Sequence, residues 1–159
     1  MAIKDVDLAY AAGLIDGEGC ICLSRWHKKN IHGELDHGWA YTLSVTVQMT
    51  TPQEPAFMYD VFNKEFGGLY KVYQKRNSNT KPVFHWRISC SSCAPFLKSL
   101  LPYLLGKKPQ ALAAIEYAEW IANHPAHGKR GRSTEEHKYQ EEMWVRIKGL
   151  KQNNRVYDS

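Results

Sequence analysis

Ala11-Ala-Gly-Leu-Ile-Asp-Gly-Glu-Gly19 is the stretch that decides how this 159-residue chain is read. Its first half continues a helical pattern from upstream, with Leu8, Ala9, Ala12 and Ile15 at helical spacing and Asp5 or Asp7 as N-cap, which predicts a helix from Asp5 to Ile15. Ala9, Ala11, Ala12 and Gly13 are small enough for another backbone to come close, and Gly17-Glu18-Gly19 then ends the helix. From Cys20 the pattern turns to strand.

Working outward, residues 42–50 (TLSVTVQMT) alternate without exception: Thr42, Ser44, Thr46, Gln48 and Thr50 share one face, and Leu43, Val45, Val47 and Met49 share the other. This predicts one strand of an antiparallel sheet with a dry back and a hydrogen-bonding front. Cys20 to Asn30 is its hairpin partner, joined through a polar loop from Ile31 to Gly38. Thr51-Pro52-Gln53-Glu54 reads as a capping box opening a helix with Phe57, Met58, Val61, Phe62 and Phe66 on its apolar face, stopped by Gly67-Gly68. Strands follow at Leu69 to Arg76 and Val83 to Ser89, and a helix restarts after Ala94-Pro95. A third helix covers Pro109 to Asn123. Ser133-Thr-Glu-Glu136 caps a last helix, to about Lys151, whose stripe of Tyr139, Met143, Trp144, Ile147 and Leu150 suits packing on the flank. No long linker divides the chain, so one domain is expected over 1–159, with a core at about 5–123 and a basic loop and helix appended over 124–159.

Composition limits the partners. Lys and Arg number 21 against 16 Asp and Glu, a formal net charge of +5, which points to an anionic partner. With 43% apolar and 12% aromatic residues, neither a disordered nor a fibrous chain is tenable. No window has 18 consecutive apolar residues and the N-terminus has no signal-peptide pattern, so an intracellular protein is expected. Cys20, Cys22, Cys90 and Cys93 form a C-x-C and a C-x-x-C that could in principle hold zinc; their strand and strand-to-helix positions favour reduced core cysteines.

The order helix, hairpin, helix, hairpin, helix, opened by the nine residues 11–19, resembles the LAGLIDADG homing endonucleases in their single-motif, homodimeric branch. The resemblance runs from about Leu8 through Ile121, and the motif departs from the family name at Ala11, Gly17 and Glu18. It implies an α+β, αββαββα fold with a saddle-shaped antiparallel sheet plus C-terminal helices. It also implies cleavage of both strands of a near-palindromic DNA site by a homodimer, as in enzymes of mobile introns. The dimer interface would be Leu8, Ala9, Ala12 and Gly13, with Asp16 capping the partner's helix terminus. Glu18 stands at the family's last acid and would ligate the metal with the Gly17 carbonyl; such hard oxygen donors favour Mg²⁺. Lys107 falls where the family has a lysine near the scissile phosphate. The family's water-organising glutamine falls on Thr51, so Thr51, Gln48 or Gln53 takes that task or the water network differs.

The alternating face would meet the major groove through Thr42, Ser44, Thr46, Gln48 and Thr50, joined by Ser24, Trp26, Lys28 and Asn30 and by His85 and Arg87. On the third strand both Gln74 with Arg76 and Lys71, Tyr73 and Lys75 are possible. Lys129, Arg130 and Arg132 would hold phosphates by counterion release. A non-cleaving DNA-binding regulator, an RNA maturase or a zinc-stapled nucleic-acid binder are the competing readings, and the acid at Glu18 favours the enzyme.

Overall fold

The computed structural model describes residues 3–29, 32, 35–74, 76, 79–126 and 131–153. Helix α1 (Asp5–Glu18) passes without a loop into β1 (Gly19–Lys29), which pairs with β2 (Leu35–Thr50). A π-wound segment, Met58–Asn63, runs into the short α2 (Lys64–Phe66). Then come β3 (Leu69–Tyr73), β4 (Val83–Ser89), a 3-10 turn at Cys90–Ser92, α3 (Cys93–Leu100), α4 (Lys108–Asn123) and α5 (Thr134–Asn153). The four strands form one antiparallel sheet in the order β1-β2-β4-β3, in an α+β arrangement.

One face of the sheet is dry. Ile21, Leu23, Leu43, Val45, Val47, Phe84, Trp86 and Ile88 are buried there in one core with Ala11, Ala12 and Ile15 of α1, Phe96, Leu97 and Leu100 of α3, and Ala111, Ala113, Ala114 and Ala118 of α4. An aromatic cluster anchors the middle: Phe62 lies 4.7 Å from Trp86 and 5.6 Å from Phe96. The π winding, whose turns close over five residues, brings Phe57 against Phe62 at 5.4 Å. Helix α5 packs along the outer edge of β1. There Arg25 bonds Glu141 at 2.5 Å and lies between the rings of Trp39 (4.3 Å) and Trp144 (3.7 Å), while the Tyr41 hydroxyl donates to the same carboxylate.

The alternation of 42–50, the Val83–Ser89 strand and the Ser133 capping box all have their counterparts. Ser133 N donates to Glu136 Oε2 at 2.8 Å and Glu136 N to Ser133 Oγ at 3.2 Å. Other expectations shift. Helix α1 runs on through Gly17 to Glu18, and its N-cap is Lys4, with Asp5 and Asp7 in the first turn, where their charge favours the helix dipole. The second strand begins at Leu35, inside the expected loop, because Trp39 pairs with and stacks on His27 at 3.7 Å. The Thr51 capping box does not form: the Thr51 hydroxyl turns onto the Gln53 carbonyl and the Glu54 carboxylate accepts from Tyr70 at 2.8 Å.

Candidate nucleic-acid interface and acid cluster

The direct passage from α1 to β1 depends on Gly19, where any Cβ would stand 2.7 Å from the Ile15 backbone. A bare glycine lets the strand leave the last helical turn at once, and so Glu18 is held exposed at the junction of helix and sheet. Two residues fasten that end. Asp16 accepts hydrogen bonds from the Leu105 and Lys107 backbone amides, each at 2.8 Å. The Lys107 ammonium donates to the Ile15 carbonyl at 2.9 Å and to that of Asp16, a cation on the helix C-terminus where the dipole is negative. Burial pulls the Lys107 pKa below the ordinary lysine value; Asp16, Cys20 and Glu18 act against that pull and Lys151 adds to it. Asp16 therefore caps a downstream segment of the same chain, and Lys107 is tied to the helix end beside Glu18.

The outer face of α1 differs from the expected interface. Leu8, Ala11, Ala12 and Ile15 form the inward stripe, with Ala12 wholly buried in its own protomer. Ala9 and Gly13 do face out, and Val6 (67% exposed), Tyr10 (54%) and Gly17 join them. A Cβ on Gly13 or Gly17 would meet nothing within 4 Å. The spacing of Val6, Tyr10, Gly13 and Gly17 was legible as a second helical stripe.

Register orders the open face of the sheet into cross-strand rungs. They run Thr50–Val83–Tyr73, Gln48–His85–Lys71, Cys20–Thr46–Arg87–Leu69, Cys22–Ser44–Ser89, Ser24–Thr42 and Trp26–Ala40. On β3 the register puts Lys71 and Tyr73 on this face, whereas Tyr70 and Val72 lie opposite Trp86 and Phe84 on the core side. Gln74 and Arg76 are corrected accordingly: both lie past the end of β3, and Gln74 continues the core-side parity. Ser44 is on the open face but only 5% exposed, because its small side chain sits between neighbours on both sides of a central strand. Arg87 Nε donates to Ser89 Oγ at 3.2 Å. His85 is held below its usual pKa, first by burial and then by Arg87 and Lys71, and its Nδ1 has no partner among the described residues. The Cys22 thiol is pulled below its usual pKa, above all by its hydrogen bond with Cys20, while that bond and burial push the Cys20 thiol up.

Arg132 has a different role from the one expected. It bonds the His124 carbonyl at 2.6 Å, pairs with Glu136 at 3.7 Å and lies 5.0 Å over Trp120, so its charge is spent on the α4–α5 connection. Lys28 is exposed; Asn30, Lys129 and Arg130 lie outside the described residues. No cluster of three or more His, Cys, Asp or Glu is placed to hold a metal ion among the described residues.

The sequence matches no family model and no curated protein. Solved structures do match. The homing endonuclease I-CvuI, in complex with a DNA target and 2 mM Mg, is 25% identical with a TM-score of 0.55, covering 74% of this chain and 69% of that one. The homing endonuclease I-TnaI is 16% identical at a TM-score of 0.52, with 92% of this chain and 99% of that one covered. The LAGLIDADG homing endonuclease I-GzeII, bound to its DNA target, is 12% identical at 0.53, covering 80% of this chain and 40% of that one. The chain has the LAGLIDADG homing endonuclease fold. The chain spans nearly the whole of I-TnaI and less than half of I-GzeII. Residues 11–18 lie on α1, whose acid end leads directly into β1.

Proposed function

We propose that the chain is a sequence-specific double-strand DNA endonuclease that works as a homodimer on a near-palindromic site. The observation that carries this is the position of Glu18, exposed where α1 passes directly into the strand whose open face bears Ser24 and Trp26. The small, unfilled surface at Gly13 and Gly17 lets two motif helices meet, which sets two Glu18 side chains side by side under one duplex. Rungs of the sheet are two residues apart, about 6.7 Å, and base pairs about 3.4 Å, so each rung faces roughly two base pairs. The run from the Thr50 rung to the Trp26 rung thus follows about ten base pairs per protomer.

A divalent ion fits the residues present. The donors are hard oxygens: the exposed Glu18 carboxylate and the Gly17 carbonyl, one of the last four carbonyls of a helix, which lack intrahelical donors. When bound, Mg²⁺ there supplies Lewis-acid polarisation of the scissile phosphate and a more acidic attacking water. The chain's own part is positional. Asp16 and Lys107 hold the helix end, Lys107 also places positive charge beside Glu18 where phosphate charge develops, and Arg87, Gln48 and Lys71 set the duplex in register.

The test is Glu18→Gln. It keeps shape and loses the charge, so DNA binding should persist while Mg²⁺-dependent cleavage of a selected site falls at least a hundredfold. Cleavage at the unaltered rate refutes the assignment; wild-type binding without cleavage would favour the regulator reading.

A further inference from the structure

Resting on the DNA-binding reading above, we infer that Trp26 reads the C5-methyl group of a thymine in the outer part of each half-site. The other tryptophans have structural work. Trp86 is in the core, Trp39 and Trp144 enclose Arg25, and Trp120 stacks on Tyr117 and His124. Trp26 is 47% exposed on the open face of β1, and among the described residues no ring or cation stacks on it. Its rung partner is Ala40, too small to cover an indole, and the next rung, Ser24–Thr42, offers only hydroxyls. A broad apolar surface thus stands alone at this end of the face, beside rungs of small and hydroxyl-bearing side chains.

Base edges in the major groove offer one apolar group, the thymine methyl; every other feature is a donor or acceptor. A donor or acceptor pressed against the indole carbons loses its water and gains no bond, so cytosine or a purine is disfavoured there as well as unrewarded. Trp26 is eight residues along β1 from Glu18, about 27 Å, which places the methyl about eight base pairs from the cut.

The experiment first selects bound duplexes from a randomised library in Ca²⁺. Each thymine of the enriched site is then replaced singly by deoxyuridine, which removes the methyl and leaves every hydrogen-bonding group. One position per half-site, about eight base pairs from the cut, should lose about fourfold in affinity, the worth of one methyl-sized group. Trp26→Ser should bind the thymine and uracil sites equally, whereas Trp26→Phe should retain the difference; 5-methylcytosine should outbind cytosine at the same place. An enriched site indifferent to deoxyuridine, or a fourfold loss that persists in Trp26→Ser, overturns the inference. A purine required there instead, read by the indole N–H, also overturns it. A library from which nothing is enriched overturns the DNA reading itself.

Discussion

Asp16 offers the sharpest test of how the acid end is built, because its carboxylate accepts two backbone amides, from Leu105 and Lys107, both at 2.8 Å. Asp16→Ala leaves those amides to water. Hydrogen bonds to a charged group are worth about 1.5–3 kcal/mol each, and the half-exposed setting puts these at the lower end, about 3 kcal/mol together. For a domain of this size that lowers Tm by roughly 6–12 °C. Asp16→Asn keeps one acceptor oxygen and turns its amide nitrogen toward the other N–H, so it should recover at most half of the loss. The assay is thermal unfolding by circular dichroism at about 1 and about 50 μM protein. Both bonds lie within one protomer, so the deficit relative to wild type should be the same at the two concentrations; a cap on the partner's helix would make it grow on dilution, as any subunit contact does. A deficit that deepens on dilution, or none at all, refutes the intramolecular staple.

Gly13→Leu adds a side chain whose Cβ meets nothing within 4 Å and removes a helix-weakening glycine from an exposed position, so the monomer should fold at least as well as wild type. On the dimer it should act as overpacking, and sedimentation should show monomers where wild type shows dimers; a dimer of unchanged strength would remove α1 from the interface. His85 supplies a pH signature. Its folded pKa lies below the unfolded value, so on acidification the unfolded chain takes up the proton first; the contribution is present above about pH 6.5 and lost below it. His85→Gln should therefore flatten the fall of Tm between about pH 7 and 5, and parallel curves would show the ring to be uninvolved.

Local periodicity made most of the fold legible. The alternation over 42–50 needed only chain-local contrast between polar and apolar residues, and it located the open face on the central strand. What local pattern could not supply was register. Lys71 and Tyr73 join the open face only because β3 pairs with β4 through Lys71↔His85, a fact about two segments and not one. The same limit explains Ala12 and Asp16. Ala12 is a small residue suited to either side of a helix, and its inward direction follows from the position of the sheet beneath it. Asp16 finds its donors about ninety residues downstream, too far for spacing to reveal. Arg132 carries a charge the sequence could not show to be already engaged by Trp120, Glu136 and the His124 carbonyl.

The clamp on Arg25 has a consequence for how the protein is made. β1 is an outer strand of the sheet, and what shields it, Trp144 and Glu141 of α5, is encoded about a hundred residues after Trp39. At about 5–20 residues per second, a ribosome leaves that strand edge and the Trp39 ring uncovered for roughly 5–20 s in every round of synthesis. During that interval the hairpin is open to pairing with a neighbouring nascent chain. A message broken before α5 then yields a product whose β1 edge stays open, so α5 also protects the earlier part of the chain from pairing with its neighbours.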